Sequence, residues 1–125
     1  MSYELAWEPR GFSLTFSGRI SFDDIRNATI DHQSDVRFDR IRCVVADFTR
    51  ITGCDATLSE VDRTWAIDLA TGIPNPRIRK AISATFPEVV ALVMHYKAQG
   101  IPACPTAVSS SLGDARHWLA VEEHA

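Results

Sequence analysis

Long apolar runs are missing from this chain. None approaches the roughly 18 residues that a bilayer-spanning helix requires, so an integral membrane protein is not expected. Runs of positive charge are missing too. Lys and Arg number 13 against 16 Asp and Glu, for a formal net charge of -3. The nearest basic clusters are Arg37, Arg40 and Arg42 in "RFDRIR", and Arg77, Arg79 and Lys80; both read as solvated faces and element ends. Without a basic stripe, nucleic acid is excluded as a partner on charge grounds. Cysteine is scarce: Cys43, Cys54 and Cys104 are odd in number and far apart, with no CxxC and no Cys/His set at zinc spacing. No glycine-rich phosphate or dinucleotide loop occurs among the six glycines. Neither metal nor cofactor is therefore expected. The opening "MSYELAWEPRG" lacks a basic stretch followed by an apolar one, so no secretory signal is expected and a reducing, cytoplasmic location follows.

What remains suits one folded unit. The 125 residues are 46% hydrophobic, with three Trp and six Phe, enough to build a core without disulfide or metal staples. Tyr3, Leu5 and Trp7 alternate with polar residues, as do Phe12, Leu14 and Phe16, and "EPRG" between them suits a type I turn. This predicts an antiparallel hairpin with one wet face. Ser21 opens a helix, with Asp23 and Asp24 at its positive end and Phe22, Ile25, Thr29 and His32 along one side. "DVRFDRI" reads as a loop, and the continuous apolar run Cys43–Ala46 as a central strand covered on both faces.

Thr57-Leu-Ser-Glu60 matches a capping box, followed by a buried stripe of Val61, Trp65, Leu69 and Ile73 and a stop in "TGIPNP". A short strand in "RKAISAT" leads to a helix from a second box, Thr85…Glu88, which is apolar nearly all round between Val89 and Met94 and should be well covered. "PTAVSSS" forms a last strand, and Leu112, Ala115, Trp118 and Leu119 anchor a last helix. The order is β-β-α-β-α-β-α-β-α. It predicts an α/β fold, one domain over residues 1–125, with a mixed sheet of about five strands.

Four features together resemble the STAS domain (sulfate transporter and anti-sigma factor antagonist), and more closely the small SpoIIAA-like proteins. Trp7-Glu8-Pro9-Arg10-Gly11 opens the chain, and Asp35-Val36-Arg37-Phe38-Asp39-Arg40-Ile41-Arg42 precedes the central strand. Asp47-Phe48-Thr49 and Asp55-Ala56-Thr57-Leu58 are separated by the family's offset of eight, and Ser111-Leu112-Gly113-Asp114-Ala115-Arg116-His117-Trp118-Leu119 closes it. The resemblance implies the fold and a role in binding a protein partner through the strand-to-helix corner. It does not carry the phosphoswitch. The residue after the second Asp, a serine phosphorylated in anti-sigma antagonists, is Ala56 here, and Leu58 replaces the family glycine.

The chemistry-bearing residues have plain readings. Asp47 stands where α/β proteins place ligands, yet a loop aspartate bonding to nearby backbone N–H groups does the same structural work. Asp47 and Asp55 would make an acid/base pair only if they converged. Cys54, before a helix start, is the best nucleophile candidate but has no identifiable base; the expected role is a filler. Cys43 and Cys104 read as incidental thiols. His32 and His95 read as satisfied, partly buried histidines, and His117 and His124 as solvent-facing. No enzymatic activity is expected. The expected interaction surface is the 48–57 loop and its flanks: Asp47, Thr49, Thr52, Cys54, Asp55, Ala56 and Thr57. A homodimer through the hairpin edge and a small apolar ligand or lipid held by the same fold are the other expectations.

Overall fold

The two alternating runs at the start of the chain form the hairpin their pattern requires. In the computed structural model, which describes residues 2–72, 77–100 and 104–124, β1 (Tyr3–Glu8) pairs antiparallel with β2 (Gly11–Ile20), Tyr3 opposite Phe16 and Trp7 opposite Phe12. β3 (Cys43–Cys54), β4 (Arg79–Ser83) and β5 (Thr106–Ser109) then join in parallel, giving a five-stranded mixed sheet in the order β1-β2-β3-β4-β5. Helices α1 (Phe22–Gln33), α2 (Leu58–Gly72) and α3 (Pro87–Gln99) link successive parallel strands, and α4 (Leu112–His124) follows the last one.

This order decides where the helices go. Strands added one after another in the same direction, through right-handed crossovers, put every connecting helix on one face of the sheet. Helix α4, after β5, packs on the opposite face. The residues of β3 divide accordingly. Val44 and Ala46 join the larger core with Phe12, Leu14, Phe16, Ile82, Val89 and Val93, while Val45 joins Ala81, Ala115 and Leu119 under α4. A middle strand buried on both faces is what its unbroken apolar run requires.

Local chemistry explains most boundaries. Ser21 caps α1, its backbone N–H donating to the Asp24 carboxylate at 2.8 Å. The Thr57 box is formed in full: the Thr57 N–H donates to Glu60 Oε1 at 2.9 Å, and the Glu60 N–H to Thr57 Oγ1 at 3.2 Å. The expected box at Thr85 is not formed. Phe86 is the cap of α3, with Pro87 in the first turn, and its ring has no acceptor with which to make a side-chain cap bond. Nor is α3 covered all round: Val89, Val93 and Tyr96 are buried while Met94 is 46% exposed, since only one layer of structure lies against this helix. The "DVRFDRI" segment is no plain loop. Val36–Arg40 is a 3₁₀ turn, started by Asp35, whose carboxylate accepts from the Arg37 N–H at 2.8 Å. Ile73, expected on the α2 stripe, lies outside the described residues.

The largest difference concerns the central strand. β3 does not end at Asp47 but runs on to Cys54, and its second half pairs with β2 alone. The expected 48–57 loop is therefore strand to residue 54 and connection only at 55–57. Register shifts between Thr15 and Ser17 and between Gly18 and Arg19 bend this extension, with Gly18 at φ 71 in the left-handed region. At the other end, Gly11 lies so close to Cys43 that an added Cβ would sit 1.7 Å from the Cys43 carbonyl oxygen.

Candidate functional site

Asp47 and Asp55 cannot form an acid/base pair. Eight residues of nearly continuous strand separate them, on the order of 20 Å or more at strand rise. Asp47 is 4% exposed, and its Oδ1 accepts from the Thr49 N–H at 2.9 Å and the Thr49 hydroxyl at 2.6 Å, the local backbone tie expected of it. Asp55 is exposed and ion-paired with the Arg19 guanidinium. Cys54 is half-buried, and burial pushes its thiol up rather than down, against nucleophilic use. The seven residues of the expected surface differ in exposure. Thr52, Asp55 and Thr57 are exposed, Thr49, Cys54 and Ala56 are half-buried, and Asp47 is inside.

The motifs shared with SpoIIAA-like proteins do meet in space, for structural reasons. The Arg37 guanidinium lies 4.2 Å from the centre of the Trp7 ring, and the Arg42 and Cys43 N–H groups donate to the Arg10 carbonyl at 2.7 and 3.2 Å. Arg116 of α4 forks onto Glu8, with nitrogen–oxygen distances of 3.1 and 2.8 Å. The hairpin, the 3₁₀ segment and the last helix are thereby locked together.

The chemically distinctive feature lies behind β3. Between the sheet and the three crossover helices is a cavity of about 140 Å³. Its walls are apolar for the most part, including Phe12, Phe16, Phe48, Ile82 and Leu92. Polar side chains also reach it. Lys80 Nζ donates to Asp68 Oδ2 at 3.1 Å and to the Tyr96 hydroxyl at 2.8 Å, and that hydroxyl donates to Asp68 Oδ2 at 2.7 Å. Gln33 Nε2 donates to the other Asp68 oxygen at 3.1 Å. The side chains of Lys80 and Asp68 are only 18% and 11% exposed. Burial alone would depress the Lys80 ammonium, but the Asp68 carboxylate holds it above the ordinary lysine range; burial also raises Tyr96. Lys80 is thus no solvated cluster end. It belongs to a closed, electrically neutral network.

His32 completes this wall. Its ring stacks on Phe12 with centroids 4.4 Å apart and leans on Phe38 at 5.7 Å. It was expected to be satisfied, but its buried Nδ1 has no hydrogen-bond partner. Burial, with Lys80 nearby, pushes its pKa down to about 4, so the imidazole is neutral at pH 7. His95 conforms to its reading: Nε2 lies 2.7 Å from Asp62 at the surface.

Sequence reasoning missed this network, although two signals were present. Asp68 falls seven residues after Val61, on the buried stripe of α2, and Lys80 alternates with Ile78 and Ile82 on one face of β4. A charged residue in register with apolar neighbours is the sign of a buried pair.

With the geometry in view, comparison with known proteins adds a likeness of fold. No protein-family model matches the chain, and no curated protein does. A solved structure of an uncharacterized protein of the DUF3478 family from Shewanella loihica PV-4, with a SpoIIAA-like fold, is similar over 94% of this chain and 91% of its own. The TM-score is 0.53 at 14% identity, so the likeness is one of fold. The chain has a SpoIIAA-like α/β fold, as its motifs implied. Among the described residues, no helix is long and apolar enough to cross a membrane.

Proposed function

We propose that this protein is a non-enzymatic binding module that holds a small apolar ligand between its sheet and its crossover helices. The observation that carries this reading is the cavity behind β3, since well-packed cores leave few voids larger than a water molecule. The candidate reactive groups are engaged elsewhere: Asp47 is tied to Thr49, burial raises the Cys54 thiol, and Asp68 holds Lys80 protonated.

Amide-resolved NMR titration with small apolar probes tests the reading. Toluene or a similar probe should shift signals from residues around the cavity, and Ala46→Leu, which fills part of the void from β3, should abolish those shifts while the fold persists. If a full set of probes left the cavity signals unmoved, the reading would be lost.

A second reading, a protein-docking corner at residues 55–58, is favoured by Leu58. This large apolar side chain is 53% exposed at the start of α2, beside exposed Asp55 and Thr57. Pull-down with wild-type protein and with Leu58→Asp would separate a partner that uses this corner from one that does not.

A further inference from the structure

The two small basic clusters of the sequence are one cluster in the fold. The Arg42 N–H donates to the Arg10 carbonyl at 2.7 Å, and the Arg79 N–H to the Arg42 carbonyl at 2.8 Å. Arg10, Arg42 and Arg79 therefore stand side by side where β2, β3 and β4 begin, spread over roughly 10 Å at the usual strand spacing. Arg40 lies two residues before Arg42 and Arg77 two before Arg79, both of them exposed.

Arg19, Arg26, Arg37 and Arg116 each carry a carboxylate partner, Asp55, Asp23, Asp35 and Glu8 in turn. Among the described residues, Arg40, Arg42 and Arg79 have none; Arg42 spends one nitrogen on the Arg40 and Ile41 carbonyls. Of the acids in the adjoining turns, Glu8 and Asp35 are already matched, which leaves Asp39. Like charges on neighbouring segments work against folding, so the fold does not account for the cluster. A large apolar side chain stands beside it. Val36, in the same 3₁₀ turn as Arg40, is 85% exposed.

A single small anion needs donors that converge on one point. Guanidinium groups spread along an edge, with an apolar tip among them, fit an extended anionic surface instead. We propose that this edge of the sheet docks the protein reversibly onto an anionic phospholipid surface, with Arg40, Arg42 and Arg79 on the lipid phosphates and Val36 in the headgroup layer. The formal net charge of -3 does not oppose this. Only charges within about a Debye length of the surface, ~10 Å at 0.1 M salt, feel its potential.

Vesicle co-sedimentation of the whole chain tests the docking edge. Vesicles of phosphatidylcholine mixed with an equal amount of phosphatidylglycerol should bind the protein at low salt, and phosphatidylcholine alone should not. Binding should fade as salt rises, because exposed charges are screened. Arg40→Gln and Arg79→Gln should each lower the partition coefficient about fivefold, and together roughly twenty-five-fold. Val36→Asp should lower it as well, and its side chain already lies in water, so the fold should persist. Arg50→Gln is the control: this exposed arginine stands on the far half of β3 and should change nothing. Equal binding to neutral vesicles, no dependence on salt, or a loss from Arg50→Gln equal to that from Arg40→Gln would overturn the proposal. So would failure to bind anionic vesicles at low salt, or tighter binding of duplex DNA or polyglutamate than of anionic vesicles. None of the substituted residues lines the cavity, so the result stands apart from ligand binding there.

Discussion

Lys80 and Asp68 form an ion pair at 3.1 Å inside a molecule whose other acid–base contacts lie mostly at the surface. The pair ties β4 to α2, and Tyr96 ties both to α3. Removing one charge strands the other. Lys80→Met should destabilise the fold by roughly 3–5 kcal/mol, because Asp68 would be left buried without its cation. The double variant Lys80→Met/Asp68→Leu should recover much of that loss. Urea unfolding of Lys80→Met, Asp68→Leu and the double variant measures it, and a double variant no better than the worse single one would contradict the account.

His32 predicts a pH dependence with a definite sign. Its folded-state pKa of about 4 lies below the ordinary value of 6.5, so the unfolded state takes up its proton first as the pH falls. Stability is unaffected above about pH 6.5 and is lost as the pH drops from there towards 4, by roughly 3 kcal/mol in total. Lys80 reinforces the shift, whereas Asp68 and Asp31 oppose it. His32→Phe should remove this part of the slope and keep or slightly raise stability at pH 7, since an unpaired buried nitrogen is replaced by a ring of similar shape. Denaturation of both proteins from pH 4 to 8 gives the difference curve.

Thr57 is a structural cap. Its hydroxyl accepts from the Glu60 N–H and its own N–H is held by the Glu60 carboxylate, so Thr57→Ala should cost about 1 kcal/mol. Thr57→Ser should be close to neutral. Thermal melts of the two variants check the ranking, and a Thr57→Ala protein as stable as wild type would remove the box from the account of α2.

Gly11 carries the approach of β2 to β3. An alanine Cβ would overlap the Cys43 carbonyl, which is backbone and cannot turn aside. Gly11→Ala should therefore destabilise by about 2–3 kcal/mol, in the range of overpacking a closed site. Gly113→Ala is the control: an added Cβ there meets no atom within 4 Å, and in a helix the change should be neutral or favourable. Chemical denaturation of both compares them.

Periodicity determined the elements of this protein. Alternation at Tyr3, Leu5 and Trp7, the apolar run from Cys43 to Ala46, and the Ser21 and Thr57 caps each depend on neighbours a few residues away, and the sequence holds those neighbours in full. The order of elements then limited the sheet to a hairpin with parallel strands added beside it. Two things were decided only in three dimensions. β3 continues past Asp47 because the end of β2, Ser17 opposite Arg50 and Ile20 opposite Cys54, supplies the hydrogen bonds that its second half needs. The polar wall of the cavity exists because α1, α2, β4 and α3 each bring one or two residues to a common point: His32 and Gln33, Asp68, Lys80, Tyr96. No local pattern encodes such a meeting, since burial, pairing and the space left between side chains depend on how separate elements pack.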